Sequence, residues 1–250
     1  AAANVTEGGS VVYTATVANA VTGTPLVITL TNGATITIPV GQTTANSAAV
    51  LVRADDAYVQ GNQNVTVGIT STSGGNYEAL TTTSTVTTVV ADDADATAVT
   101  LTAAANATEG GSVVYTATVA NAVTGTPLVI TLSNGATITI PVNGTTGSSA
   151  AVLVRADDVY AQGNQSLVVG ITGTTGGNYE ALTTTSTVTT VVADDADATA
   201  VTLTAAANVT EGGSVVYTAT VANAVTGTPL VITLTNGATI TIPVGQTTAN

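Results

Sequence analysis

The sequence predicts an all-β protein of tandem immunoglobulin-like antiparallel β-sandwiches, with about seven strands in each repeat. Thr, Val and Ala dominate the composition while Met, Phe and Trp are absent, and β-branched residues favour strands over helices. The chain also repeats itself at a spacing large enough for each copy to enclose its own core. Within each copy, apolar and polar residues alternate in seven short segments separated by turn residues, which is typical of a sandwich.

The repeat is visible in the segment TEGGSVVYTATVAN, which begins at Thr6, Thr108 and Thr210, a spacing of 102 residues each time. Solenoid repeats of about 20–50 residues cannot fold alone, whereas units of about 100 residues can, so we expect beads on a string. The units are residues 1–95, with the first strand cut, 96–197, which is complete, and 198–250, with the first four strands. We expect the chain to be a window onto a longer tandem array.

In the complete copy, alternation predicts seven strands at residues 98–102, 112–121, 128–133, 136–142, 150–155, 166–172 and 186–192. The inward side chains are predicted to be Val99, Leu101, Val113, Tyr115, Ala117, Val119, Leu128, Ile130, Leu132, Ile138, Ile140 and Val142. Asn134-Gly135 predicts a hairpin turn, because both residues tolerate a positive φ. Residues 143–149 are predicted to be a polar loop, and the slip in alternation at Thr189-Thr190 predicts a bulge. No helix is expected.

Composition excludes several functions. The chain has 15 acidic and 2 basic residues and a net charge of −13, so we expect no nucleic-acid partner and no docking on anionic lipid. Without Cys or His it has no disulfide, no thiolate zinc site and no conventional catalytic triad, and we expect no enzymatic activity. No apolar run approaches the ~20 residues of a membrane span, so no membrane insertion is expected in this chain.

Acidic residues are clustered although only 7% of the residues are charged. The segment Asp92-Asp93-Ala94-Asp95 returns as Asp194-Asp195-Ala196-Asp197, each time where one repeat meets the next. In a seven-strand sandwich these acids and those of two loops share one pole, which predicts a metal site. The residues are Glu7, Asp55, Asp56, Asp92, Asp93 and Asp95 in the first repeat, and Glu109, Asp157, Asp158, Asp194, Asp195 and Asp197 in the second.

Calcium is the expected ion, because Ca²⁺ takes six to eight oxygen ligands in flexible geometry and Mg²⁺ seldom occupies an all-protein cage. The alternative is that these acids are solvated loop residues that keep the surface soluble. The remaining acid of each repeat, Glu78 or Glu180, is predicted to lie in a loop at the other pole. It either reaches the acidic cluster of the preceding repeat or is solvated.

Several segments carry a resemblance to a known family. They are Leu101–Ala103, Thr108–Ala117, Leu132–Ile140, Asp157–Tyr160 and Gly176–Glu180, and they resemble the immunoglobulin-like extender repeats of giant type-I-secreted, RTX-class bacterial surface adhesins. A looser similarity to Calx-β domains lies in the early Glu-Gly, the Asp-Asp before Tyr and the acidic end of the last strand. This similarity implies calcium binding by the twelve acids named above. The junction is more acidic than in the adhesin repeats, and the RTX glycine-rich nonapeptide is absent.

The resemblance implies a structural spacer in a large adhesin that is secreted to the bacterial cell surface, supports attachment or biofilm formation, and is stiffened by calcium at the junctions. The expected partners are the neighbouring repeats of the same chain and, in addition, other copies of the chain. One alternative is a self-assembling extracellular filament or matrix protein of laterally or end-to-end packed repeats. Another is a carbohydrate- or ice-binding surface formed by the regular Thr ladders.

Overall fold

The computed structural model describes all 250 residues and consists of strands, turns and loops without a helix. The first repeat contains β1 (Asn4–Thr6), β2 (Ser10–Val11), β3 (Thr14–Thr16), β4 (Leu26–Leu30), β5 (Thr35–Ile38), β6 (Thr44–Asn46), β7 (Val50–Leu51), β8 (Gln63–Ser73) and β9 (Thr85–Ala91). The second contains β10 (Ala96–Thr102), β11 (Asn106–Thr108), β12 (Ser112–Val113), β13 (Thr116–Val119), β14 (Leu128–Leu132), β15 (Thr137–Ile140), β16 (Thr146–Ser148), β17 (Val152–Leu153), β18 (Gln165–Thr175), β19 (Ala181–Thr183) and β20 (Thr187–Ala193). The third contains β21 (Val201–Ala205), β22 (Tyr217–Val221), β23 (Leu230–Thr233), β24 (Thr239–Ile242) and β25 (Thr248–Ala249). The predicted all-β class is confirmed.

The second repeat is a sandwich of two sheets. One sheet has the strand order β11-β20-β18-β14-β15, and the other has the order β16-β13-β10-β19, with the short pair β12 and β17 beside it. The first repeat keeps the first of these sheets as β1-β9-β8-β4-β5, and the third contributes β21-β22-β25 and β23-β24. The first and second repeats therefore place the same elements at the same pole.

The core of the second repeat lies between its two sheets and is formed by the inward positions of the alternation. Eleven of the twelve residues predicted to point inward are buried: Val99, Leu101, Val113, Tyr115, Ala117, Val119, Leu128, Ile130, Leu132, Ile138 and Ile140. The twelfth prediction was wrong, because β15 ends at Ile140 and Val142 is 38% exposed. No helix of the structure is long and apolar enough to cross a bilayer.

Two strand pairs are parallel within the otherwise antiparallel sandwich. The first predicted strand, residues 98–102, lies within β10, which pairs antiparallel with β13 in one sheet. It is followed by β11, a short strand that was not predicted, which lies in the other sheet and pairs parallel with β20. β10 also pairs parallel with β19, beginning with Ala96 opposite Ala181. Because parallel neighbours begin and end at the same edge, these two pairs decide which residues meet at the pole.

The predicted second strand, residues 112–121, is divided into β12 and β13, which pair with β17 and β16. Residues 143–149 are therefore not only a loop, since they contain β16. At the interruption, the Ser149 hydroxyl accepts a hydrogen bond from the Tyr115 N–H at 3.1 Å, and the Ser149 N–H donates to the Tyr115 carbonyl at 2.9 Å. The Ser149 side chain takes the place of a ladder partner, which the alternation pattern does not reveal.

The bulge predicted at Thr189-Thr190 is absent. β20 pairs with β18 in continuous register, and the irregularity lies instead between Thr131 and Leu132 in the pair β14 and β18. Thr190 occupies an inward position and is 1% exposed, and its hydroxyl donates to the Ala104 carbonyl at 2.7 Å. A satisfied buried hydroxyl therefore replaces an aliphatic side chain without a change of register.

Candidate metal centre

The acidic pole of the first repeat is built where two parallel strands end together. β1 and β9 are paired with Thr6 opposite Ala91, and the Glu7 N–H donates to the Ala91 carbonyl at 2.9 Å. The next residue of each strand is acidic, so Glu7 and Asp92 lie side by side. Glu7 is 3% exposed, which is unusual for a carboxylate unless it is paired or binds a metal.

A glycine turn brings a third carboxylate to this edge. Gly8 has a φ of +68°, and a Cβ there would lie 3.0 Å from the Cβ of Asp55. The Gly8 N–H donates to the Arg53 carbonyl at 3.0 Å. The Glu-Gly pair therefore turns the chain directly after Glu7 and leaves room for the loop that carries Asp55.

Arg53 lies at the centre of the pole, a feature that the sequence analysis missed. Its Nε contacts Glu7 Oε2 at 2.9 Å and its Nη2 contacts Asp92 Oδ1 at 2.7 Å, while Nη1 donates to the Gly61 carbonyl at 2.9 Å. Arg155 makes the equivalent contacts in the second repeat, to Glu109 and Asp194. Since these are the only two basic residues of the chain, their position beside clustered acids was a usable signal.

Two of the predicted ligands have structural partners in the E–F loop (residues 52–62). Asp92 Oδ2 accepts hydrogen bonds from the N–H groups of Gln60 at 2.8 Å and Gly61 at 3.0 Å. Asp56 Oδ1 accepts from the Tyr58 N–H at 2.8 Å, and its other oxygen accepts from the Gln60 side-chain amide. Asp56 and Asp92 therefore shape the loop. The other carboxylates of the pole, which accept no hydrogen bond from a backbone N–H of this loop, are Glu7, Asp55, Asp93 and Asp95.

These carboxylates form compact triads. There are three triads, and in each one the ligand oxygens lie within 4.8 Å of one another. The triads are Glu7, Asp55 and Asp93; Glu7, Asp92 and Glu180; and Asp93, Asp95 and Glu180. Glu7 Oε1 is buried and has no hydrogen-bond partner. A buried carboxylate oxygen without a donor is costly, and a cation is the partner that would satisfy it.

The second repeat contributes Glu180 to the pole of the first. β10 and β19 begin together, and the residues before them are Asp95 and Glu180, so the Asp95 N–H donates to Glu180 Oε2 at 2.6 Å. Glu180 Oε1 is buried without a partner. This acid was predicted either to reach the acidic cluster of the preceding repeat or to be solvated, and for Glu180 the first alternative is confirmed. Its counterpart Glu78, with no preceding repeat in this chain, is exposed.

The second pole repeats the arrangement within one unit. The carboxylates of Glu109, Asp157 and Asp195 again lie within 4.8 Å of one another. Asp158 Oδ1 accepts from the Tyr160 N–H at 2.8 Å, and Asp197 is exposed. The within-repeat triad is therefore present at both poles, whereas the triads that include a residue of the following repeat occur at the first.

The electrostatics of the pole follow from these contacts. Burial raises the pKa of Glu7 above its ordinary value, and the Arg53 guanidinium opposes the rise. Two backbone N–H groups of the E–F loop hold the pKa of Asp92 below its usual range. The negative charge of Asp55 raises the pKa of Asp95, as does burial. Repulsion among the carboxylates is therefore only partly relieved by the one guanidinium, and a cation would relieve the rest.

The donor set is made only of oxygen, which suits Ca²⁺ rather than a soft transition metal. The structure brings nine of the twelve predicted acids into triads or contacts with Arg53 or Arg155. Asp56 and Asp158 are held in their loops instead, and Asp197 lies near Asp195, whose charge raises its pKa. The orphaned oxygen of Glu7 and the oxygen-only donors both fit the predicted ion.

Fold and pole together define a protein of tandem all-β sandwich repeats, each with a clustered acidic pole. The LapA domain family model matches residues 1–93, 95–195 and 197–250. The chain therefore belongs to the LapA domain family, a family of large adhesin-related bacterial proteins. No curated protein is significantly similar to the chain.

Proposed function

We propose that the chain is an extender region of a large adhesin at the bacterial cell surface, and that calcium stiffens the junctions between its repeats. The observation that carries the proposal is the buried, unpartnered Glu7 Oε1 among carboxylates from two repeats. The family supports an adhesin-type surface protein. The role is structural, since the same pole recurs in each complete repeat and a site for a unique substrate would need only one copy.

A cation at the junction would join two sets of ligands. Glu7, Asp55 and Asp93 come from the first repeat, and Glu180 comes from the second. Asp93 and Glu180 share a triad with Asp95, which lies directly before β10. Bound calcium would supply positive charge between these groups and hold the two repeats at one angle. Without it, repulsion among the same carboxylates favours a looser junction.

The geometry of the repeats suits a spacer. We propose residues 1–95, 96–197 and 198–250 as successive units, each of which follows the previous one directly, without a flexible linker. At about 3.3 Å per residue, the 11 residues of β18 span roughly 36 Å. Each added unit would therefore lengthen the rod by about that amount, provided that the junction is rigid. Attachment and biofilm formation follow as the proposed roles of such a rod, and secretion as its route to the surface.

The test is thermal unfolding of the 250-residue chain with calcium and with EGTA. Binding to the folded state alone stabilises by about 2.7 kcal/mol when free calcium is a hundredfold above Kd. We expect a clear rise in Tm with calcium, and a smaller rise in the Asp55→Asn/Asp93→Asn variant, which keeps only the second pole intact. Glu78→Gln is the matched control, because Glu78 is an exposed acid outside both poles. The calcium site is contradicted if calcium raises Tm equally in all three proteins, or if it does not raise Tm in the wild type. The acids would then serve only to keep the surface soluble.

Lateral assembly into a filament is the second candidate, and one observation favours it. Leu51 and Leu153, at equivalent positions, are each 57% exposed, so a rod of such repeats presents apolar residues at regular intervals. Sedimentation of the chain at rising concentration with calcium tests it. Growth of large species that Leu51→Ser/Leu153→Ser abolishes would support the filament, and a monomer throughout would exclude it.

A further inference from the structure

The first and second repeats also meet away from the carboxylates. The F–G loop of the second repeat (residues 176–180) lies along the E–F loop of the first. The Val59 N–H donates to the Asn178 carbonyl at 3.0 Å, and the Glu180 N–H donates to the Ala57 carbonyl at 3.2 Å. The Asn178 side-chain amide donates to the Val59 carbonyl at 3.0 Å. Three hydrogen bonds, two of them between backbones, therefore join the repeats.

Aromatic contacts reinforce these bonds. Tyr58 and Tyr179 form an isolated antiparallel bridge, and their ring centroids lie 5.6 Å apart at an angle of 31°. The Tyr58 hydroxyl donates to the Ala122 carbonyl of the second repeat at 2.6 Å. Aromatic pairs at this separation are stabilising beyond the area they bury. The contact thus combines backbone pairing, which fixes register, with a ring anchor.

The docking surface is formed before anything docks on it. In the second repeat, the Tyr179 hydroxyl donates to the Asn121 carbonyl at 2.6 Å. The F–G loop of the first repeat has no partner here, yet its Tyr77 hydroxyl donates to the Asn19 carbonyl, also at 2.6 Å. The glycine turns of the two loops are also held alike, because the Gly75 N–H donates to the Thr24 carbonyl and the Gly177 N–H to the Thr126 carbonyl, each at 3.0 Å. Docking therefore requires little ordering of the F–G loop.

We propose that the F–G loop of each repeat is a docking surface for the E–F loop of the preceding repeat, and that the two loops form a clasp that does not need metal. Glu180 enters the clasp through its backbone N–H, and no carboxylate takes part. Calcium removal then loosens the acidic side of the junction while the clasp keeps the repeats together as a pivot. The proposal goes beyond the calcium role and does not depend on it.

The test measures the distance between the two repeats by pulsed electron resonance of spin labels. The chain has no Cys, so labels at Thr35→Cys and Thr137→Cys, both exposed strand positions, are unique. In EGTA we expect the wild type to keep one dominant distance. Tyr58→Ala/Asn178→Ala removes the ring contact and two hydrogen bonds, and should lower the ratio of docked to undocked molecules at least about tenfold, giving a broad distribution.

Asn76→Ala is the matched control, because Asn76 is the counterpart of Asn178 in a loop that nothing covers, and its distribution should equal that of the wild type. Asn178→Ala alone should give an intermediate broadening, which keeps the test valid if the double variant folds poorly. The clasp is refuted if the wild type in EGTA is as broad as the double variant, or if neither variant differs from Asn76→Ala. Failure of the calcium role would be seen separately: adding calcium would then narrow none of the distance distributions.

Discussion

Thr190→Val tests how the strand that positions the second acidic pole is held. The Thr190 hydroxyl is buried and donates to the Ala104 carbonyl at 2.7 Å. Ala104 lies in the crossing between β10 and β11, two residues before Asn106. Valine has nearly the same shape as threonine, so the substitution leaves no cavity but removes the only side-chain tie between β20 and this crossing.

The expected loss is about 1 kcal/mol, the net value of one hydrogen bond whose acceptor stays partly buried. For a unit of about 100 residues this lowers Tm by roughly 4–8 °C. β11 leads directly to Glu109, so we also expect a smaller rise of Tm on adding calcium. Differential scanning calorimetry of the full chain, in EGTA and in calcium, measures both effects.

Thr189→Val is the matched control. Thr189 is the neighbouring residue on the same strand, and its side chain is exposed on the other face. The same substitution there should change stability by no more than about 0.5 kcal/mol. The prediction is contradicted if Thr189→Val lowers Tm as much as Thr190→Val does, or if Thr190→Val does not lower Tm. In either case the buried hydroxyl does not hold the crossing.

Three further predictions follow from backbone, core and charge. Gly110→Ala should destabilise the second repeat by about 1–3 kcal/mol in denaturant unfolding, because Gly110 has a φ of +69°; Gly173→Ala, with no positive φ and open space around it, should not. Ile138→Ala should cost about 2–5 kcal/mol as a buried core truncation, whereas Val168→Ala, at a site 63% exposed, should stay within about 0.5 kcal/mol. Arg155→Gln should lower Tm more in EGTA than in calcium, since bound calcium would replace the lost positive charge beside Glu109 and Asp194; equal losses in both would contradict a cation at the second pole.

Local pattern was sufficient where a residue's environment depends on its own strand. Val99, Tyr115 and Ile130 were predicted to face inward from period-2 alternation, and all three are buried. Pattern failed at Thr190, because hydrophobicity alone makes a buried, hydrogen-bonded threonine look like a break in the alternation. It failed again at Ser149, where a side-chain hydroxyl takes the place of a backbone partner and divides a strand that reads as continuous.

The acidic pole was likewise predictable from local pattern only in part. The sequence by itself determined that six acids of each repeat stand in three loops, because their clustering at turn signals is local. Only the tertiary structure decided which of them meet. Arg53 lies 46 residues from Glu7 and 39 from Asp92, and Glu180 lies 85 residues from Asp95.

These pairings arise because two parallel strand pairs, β1 with β9 and β10 with β19, end or begin at the same edge. The alternation in each strand predicts that the strand exists but not its neighbour. In the second repeat, β10 and β11, the counterpart of β1, lie in different sheets, and this placement depends on packing across the whole sandwich. Composition therefore determined the fold class and the acids available to a cation, and strand pairing decided the arrangement in which those acids would hold it.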